Sequence, residues 1–515
     1  MSFSPTSLER ACDRIRAILT IPLVTLSVLL ILAVTSVLPT SPADPDLFAR
    51  VALGRLIQTT GTVPIVDPFA FSPKLPMWID HEWLSGVVFW NIVSRWGDAG
   101  LIALKVGLVC ITATLTVAAA RFASPGANPS LLFLVLCLGQ GIYSWGSTLR
   151  CQTFTYLFLA YQFFALVVHR QRNNHRYLIT LPLIAIAWVN LHGGYALGMT
   201  FLWLWTLLSF LEGRRSWFLV AVSVLTSAAP LFTPYGFFTF SRCLVDAIMM
   251  KRPTISEWAP LWHHPLLFGG LLIVIAILVA GIALTRDIRR HILPLGVLAY
   301  GIYCGISHLR FVTATVMVCA IFGGVYVDAF LRKARQLFPL RVERLERVVT
   351  VAALGVIAFC VVTIARASAR SATYRLDYSA YPVAAIQWLR DQKIEGKLLV
   401  DFNNGSFALW RLYPRMTVSM DGRYEAVYAP ETDQINTEAL QLGTPRSERA
   451  INILQPTHAL IHVSSAAEEL TRSILSSWNV IYRDERYVIL SRANVGGNSV
   501  AHDSRGTTDI WQPLF

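Results

Sequence analysis

The chain has 515 residues, of which 54% are hydrophobic and only 15% charged, with a formal net charge of +13 and a mean hydropathy of +0.52. An ordinary globular protein is about one quarter charged, so this is the composition of a multi-span membrane protein. The positive charge sits in short arginine clusters between apolar runs, the mark of cytoplasmic loops, which argues against a nucleic-acid partner. The eight cysteines form no CxxC and no disulfide framework, which excludes cysteine chemistry as the function.

In chain order, the polar start (MSFSPTSLERACDRIR) precedes an apolar run at 17–39 with no convincing cleavage site, and is expected to lead into a retained span. From Pro39 to Glu82 the chain turns polar, with Asp44, Asp46, Asp67, Asp80, His81 and Glu82 among prolines and aromatics. So long a loop beside many spans suggests a catalytic or binding segment. Further apolar runs follow at 83–95, 99–120, 128–147, 152–169, 177–190, 193–212, 216–235, 266–285, 292–307, 310–330 and 348–366.

The basic clusters decide which of these runs cross. They are Arg10/Arg14/Arg16, Arg170/Arg172/Arg176, Arg214/Arg215, Arg286/Arg289/Arg290 and the group from Arg332 to Arg347. If all are cytoplasmic, an even number of crossings separates each pair. The short run 83–95, with Asn91 and Arg95, is then an amphipathic helix on the outer surface, and about eleven spans remain. The N-terminus is inside, and the polar residues fall at outer tips: the 40–98 loop, Ser147-Thr148-Leu149-Arg150-Cys151-Gln152, Asn190-Leu191-His192-Gly193-Gly194, the 236–265 loop and Ser307-His308-Leu309-Arg310. Ionisable groups at membrane depth are costly and usually functional.

After Ser368 charged residues return. Pro382–Arg390 has helical spacing, and buried strands are expected at Lys397–Phe402, Met416–Met420 and His458–Val463. A helix is expected at 466–478 and a hairpin at 480–490, giving a small α/β domain. The expected domains are thus 1–367, a transmembrane domain with external loop 40–98; 368–495, a periplasmic α/β domain; and 496–515, a polar tail.

The segments Asp44-Pro45-Asp46, Gly54-Arg55-x-Ile57, Gly61-x-Val63-Pro64-x-x-Asp67-Pro68-Phe69 and Trp78-x-x-His81-Glu82-Trp83-Leu84 resemble bacterial polytopic proteins in or near the GT-C class of glycosyltransferases. That class includes protein mannosyltransferases and aminoarabinose transferases. The resemblance implies a polyprenyl-phosphate-linked sugar donor, and an acidic motif after the first span to which Asp46 is the best match. The chain lacks the class's usual Asp-Glu pair and its two later prolines.

Each candidate has a plainer reading beside the functional one. Asp44 or Asp46 is a general base or a ligand of a divalent cation, Mg or Mn; either could equally be a helix cap. Arg150 and Arg310, with His308, are candidates for holding the donor phosphate, against interfacial snorkelling. Asp80, His81, Glu82, Gln152, Asn190, His192 and Glu257 are expected to line the site; a helix start explains His81 and Glu82 as well, and a turn explains His192. Turn chemistry is the preferred reading for Asp67 and for Asp421-Gly422-Arg423.

The expected function is an inverting transfer of a sugar to a lipid, polysaccharide or protein acceptor on the periplasmic side of a bacterial inner membrane. A lipid or oligosaccharide flippase is the alternative, though no internal repeat supports it. A non-catalytic scaffold of an envelope polymer-assembly complex is the third reading.

Overall fold

The computed structural model describes residues 41–124, 149–249, 256–285, 288–339, 362, 376–441, 444–463, 478–492 and 502–503. The expected spans 17–39, 128–147 and 348–366 lie wholly or almost wholly outside these residues, as do the helix at 466–478 and most of the tail. Contacts divide the chain into two compact units: residues 1–41 with 102–374, and residues 42–101 with 375–515. The segment expected as the membrane domain's external loop is thus grouped with the C-terminal residues.

Helix α1 (Pro45–Thr60) starts where its sequence says it should. Asp44 is extended (φ −85°, ψ 138°), its carboxylate accepts the Asp46 amide at 3.0 Å, and Pro45 supplies a preset first-turn φ. Gly61, left-handed at φ 72°, ends it. Helix α2 (Trp83–Ala123) breaks at Gly97 (φ 56°, ψ −152°), a conformation only glycine reaches cheaply. That break separates the expected surface helix 83–95 from the run 99–120. Where α1 crosses α2 the backbones touch: a Cβ on Gly54 would strike the Gly86 carbonyl, and one on Gly86 the Arg50 carbonyl. Gly54→Ala is expected to cost about 1–3 kcal/mol by overpacking, read as a fall in the thermal midpoint of the detergent-solubilised chain.

The helical unit continues with α3 (Gln152–Arg172), α4 (Leu181–Leu191), α5 (Tyr195–Leu211), α6 (Trp217–Ser227), α7 (Phe237–Met249), α8 (Pro265–Ala283), α9 (Ile292–Ser307), α10 (Val312–Phe322) and α11 (Gly324–Leu337). Every residue of α10 is buried, so it forms the unit's centre. Its Thr315 hydroxyl donates to the Gly301 carbonyl at 2.6 Å, tying α10 to α9. Much of the expected 236–265 loop is in fact α7.

By length and composition α2 and α8 can cross a membrane, with mean hydropathies of 2.1 and 2.9. Four segments qualify if the pairs 217–232/237–246 and 309–322/324–337, bent by 97° and 62°, each count as one span. Among the described residues, then, two to four segments are long and apolar enough to cross, beside an expectation of about eleven over the whole chain. The expected runs 177–190 and 193–212, separated at His192-Gly193-Gly194, hold helices of 11 and 17 residues, below the roughly 20 of a full span.

In the α/β unit, α12 (Val383–Asp391), β1 (Gly396–Leu399), α13 (Phe402–Leu412), β2 (Met416–Val418), α14 (Thr432–Leu440), α15 (Pro445–Leu454), β3 (His458–His462), β4 (Trp478–Arg483), β5 (Tyr487–Arg492) and β6 (His502–Asp503) follow. The described sheet runs β2-β1-β3-β5-β4-β6. It is parallel at β1–β2 and β1–β3, and antiparallel at β3–β5 and β4–β5. The early loop joins the sheet. Ala70 bridges Val418 in parallel, Phe71 N–H donates to the Val418 carbonyl (3.1 Å), and Val418 N–H to that of Phe69 (3.0 Å). Phe48 of α1 packs edge-on against Phe407 of α13 at 5.1 Å and Tyr381 at 5.0 Å. These contacts explain the grouping: the loop carries apolar and hydrogen-bonding edges that the sheet completes.

Candidate active site

In the α/β unit the acidic residues have separate partners. Asp44 is 1% exposed and caps α1. Asp46 lies in the first turn of the same helix, and its Oδ1 is 2.5 Å from where a Cβ on Gly422 would stand. Glycine at 422 therefore makes room for the Asp46 carboxylate. Asp80, also 1% exposed, accepts Arg50 Nη1 at 2.6 Å and the Glu82 amide at 2.8 Å. Glu82 meets Arg50 Nη2 at 3.0 Å, and His81 Nε2 lies 3.7 Å from Glu82. Asp80 and Glu82 thus clamp a buried arginine on α1.

A second buried network joins the loop to the C-terminal segment. Arg423 donates to Asp421 through Nε (2.8 Å) and Nη2 (2.6 Å), and to Asp67 through Nη1. Its guanidinium lies 5.0 Å from the Phe69 ring centre and 4.9 Å from that of Trp78. Tyr428 donates to Asp421 Oδ2 at 2.6 Å. Burial pushes the Asp421 carboxyl up, but the charge and hydrogen bonds of Arg423, with the bond from Tyr428, outweigh it and hold the group below the usual carboxylate range. Arg423 is correspondingly held well above its ordinary value: burial opposes its charge, and Asp421 and Asp67 more than restore it.

In the helical unit, the residues expected to hold the donor phosphate converge. The Arg150 guanidinium is in direct contact with the Glu257 carboxylate. Arg310 stacks over Trp258, 4.4 Å from its centroid, and His308 meets the same ring edge-on at 5.4 Å. Leu309 N–H donates to the Ala259 carbonyl at 3.0 Å, fastening the α9–α10 turn to the segment carrying Glu257 and Trp258. Both Arg150 and Arg310 act electrostatically on Tyr156 of α3, and Gln152 begins that helix. Two arginines, a histidine, an indole and a carboxylate thus share one neighbourhood, a set suited to a phosphate beside an apolar chain.

His192 and Asn190 hold a turn. His192 Nδ1 accepts the Gly194 amide at 2.9 Å and lies 2.8 Å from the Thr155 hydroxyl. Asn190 donates to the Ile186 carbonyl at 2.8 Å. Among the described residues no three of His, Cys, Asp and Glu gather into a metal-binding set. The Asp44 carboxylate accepts the Asp46 amide, and the Asp46 carboxylate stands beside Gly422.

No protein-family model matches the chain, and no curated protein matches it by sequence. Solved structures do. The oligosaccharyltransferase of Archaeoglobus fulgidus in its apo form aligns over 85% of this chain and 69% of its own, at 12% identity and a TM-score of 0.56. The same organism's AglB, in complex with an inhibitory peptide and a dolichol-phosphate, aligns over 85% and 69%, at 13% identity and 0.55. ArnT from Cupriavidus metallidurans, bound to undecaprenyl phosphate, aligns over 92% and 98%, at 13% identity and 0.52. The chain has the GT-C fold. At 12–13% identity the likeness is one of architecture, and it extends over almost the whole of ArnT.

Two buried arginines of this GT-C fold, Arg50 and Arg423, carry weak signals in the sequence. Arg50 is hidden inside an apolar helical run, and Arg423 lies in a segment with the composition of a turn. A signal for Arg50 did exist: a lone cation among Leu47, Phe48, Val51 and Leu53 must find a carboxylate when its helix is buried.

Proposed function

We propose that this chain is a membrane glycosyltransferase that moves a sugar from a polyprenyl-phosphate donor to an acceptor on the periplasmic side of a bacterial inner membrane. The observation that carries this reading is the convergence of Arg150, Glu257, Trp258, His308 and Arg310 in a chain of GT-C fold. Two structures of similar fold hold dolichol-phosphate and undecaprenyl phosphate.

In the proposed reaction the acceptor hydroxyl attacks the anomeric carbon, and the bond from that carbon to the phosphate oxygen breaks. The acceptor proton passes to a carboxylate, assigned to Asp46; Asp44, as the cap of α1, orients the helix start. Charge builds on the departing polyprenyl phosphate. Arg310 meets it through the N–H edge of a guanidinium whose face rests on Trp258, and Arg150 adds a second cation. Opposite-face attack makes the transfer inverting.

The test uses membranes and a labelled polyprenyl-phosphate sugar. Asp46→Asn is expected to lower transfer by about 10²–10⁴-fold, the usual worth of a general base. Asp44→Asn keeps a capping oxygen and is expected to leave transfer and stability nearly unchanged, whereas Asp44→Ala should cost about 1 kcal/mol of stability for the lost cap. Full activity in Asp46→Asn would falsify the assignment of the base. Gly422→Ala should displace the Asp46 carboxylate and reduce turnover on the order of 10²-fold while the thermal midpoint moves little; unchanged turnover would detach Gly422 from the chemistry.

A further inference from the structure

The α/β unit holds a second concentration of charge, outside the Asp67–Arg423 network. Arg390 near the end of α12, Arg411 in the last turn of α13 and Arg415 just before β2 line a cavity of about 250 Å³ with Ile394, Leu412, Tyr413 and Pro414. Arg55 of α1 stands behind it. Its Nη2 donates to the carbonyls of Trp410 (3.3 Å) and Tyr413 (3.4 Å), and its guanidinium lies 4.5 Å from the Trp410 ring centre.

The charge here is poorly balanced. Arg55, Arg390 and Arg415 make no ion pair among the described residues; Arg415 Nη1 donates to the Arg390 carbonyl at 3.4 Å. Arg411 donates to the Gln387 side chain at 2.8 Å. Asp391 is the carboxylate that acts on Arg411, and it also accepts from Gln387 at 2.8 Å. Burial, then the charge of Arg390, brings the Arg411 guanidinium down to about 10. Folding alone does not favour gathering guanidinium groups at a concave surface, since each like charge disfavours the next. A bound anion removes that penalty, and the planar forks of arginine match carboxylate and phosphate oxygens two at a time.

We propose that the cavity formed by Arg390, Arg411 and Arg415 binds a carboxylate or phosphate group of an anionic glycan, which makes the acceptor of the transfer an acidic glycan. The acceptor part rests on the transferase reading above. Arg55 and Asp46 lie on one helix, nine residues apart, which is about 14 Å along its axis. The anionic group would thus anchor the acceptor at a distance from the reacting hydroxyl, as binding groups remote from the chemistry do.

The test places the full chain in nanodiscs of phosphatidylcholine alone, so that no anionic lipid competes. The probes are trigalacturonic acid and inorganic phosphate, with maltotriose as the neutral control. Wild type is expected to bind both anions but not maltotriose, more weakly as salt rises. The double variant Arg390→Gln/Arg415→Gln, at two exposed positions, is expected to lose at least about tenfold in affinity, equal to about 1.4 kcal/mol. Equal affinity in the two proteins, or no anion binding by wild type, overturns the site. Phosphate binding without trigalacturonate binding overturns the glycan. Undecaprenyl-phosphate binding on the same samples reports separately on the transferase: if wild type binds trigalacturonate but not the donor lipid, the acceptor assignment falls and the anion site stands.

Discussion

Arg423→Gln is expected to destabilise the α/β unit by about 3–5 kcal/mol, the cost of breaking a buried ion pair from one side. The variant strands two carboxylates. Asp421 is 0% exposed and loses two guanidinium bonds; Asp67 is 3% exposed and loses its own. Tyr428 and the backbone amides of Phe69 and Ala70 remain as donors but bring no charge. If the stranded charges are the cost, Arg423→Met combined with Asp67→Asn and Asp421→Asn should destabilise less than Arg423→Met alone, a coupling that the mutant cycle measures. The thermal midpoint of the detergent-solubilised chain and protease cleavage between 376 and 441 are the readouts; a single variant as stable as wild type would sink the network as a stabilising element.

The pH dependence has a definite sign. Asp421 is held below the ordinary carboxylate range. Its stabilisation is therefore present above its unfolded pKa and lost as pH falls through the lower, folded one, so wild type should keep the network down past about pH 4. In Arg423→Gln the carboxylate keeps its burial without its cation, and its folded pKa rises. Acidification then favours the folded form, and the deficit against wild type should shrink between about pH 7.5 and pH 5.

Arg310→Ala is expected to lower transfer on the order of 10²–10³-fold, as removal of one preorganised donor to a developing oxyanion does elsewhere. The fall should appear chiefly in kcat, because charge on the phosphate grows as the sugar bond breaks. Trp258→Ala should give a smaller loss, since the indole positions the guanidinium from 4.4 Å and does not itself meet the phosphate. Glu257→Gln tests the part played by Arg150. Glu257 contacts Arg150 directly, so losing its charge should strengthen donor binding if Arg150 holds phosphate. Unchanged kcat in Arg310→Ala, measured with labelled donor and saturating acceptor, would remove the arginine cluster from the mechanism.

Much of the α/β unit was legible because its signals are local. The runs expected as strands at 397–402 and 458–463 are apolar and β-rich between turn residues, and they overlap β1 (Gly396–Leu399) and β3 (His458–His462), although Asp401 already caps α13 and Phe402 starts it. The Asp-Pro pair ahead of an apolar helical run announced the cap and first turn of α1. Arg150 and Arg310, expected at outer tips, and Glu257 are also marked by residue type and place, and they gather. The early loop hid most. Asp67 meets Arg423 across 356 residues, and Arg50 meets Asp80 across 30, separations that no periodicity or turn rule addresses.

By itself, then, the amino-acid order determined that this chain is built for a bilayer, where its polar residues interrupt the apolar runs, and which short segments are helix or strand. Those properties depend on composition and on neighbours within a few residues. Tertiary structure alone decided which carboxylates are spent on arginines and which stands beside Gly422. It also decided that the early loop completes the C-terminal sheet and that four arginines meet around Tyr413. Charge pairing and close approach depend on distance in space, and burial decides what each such pair is worth.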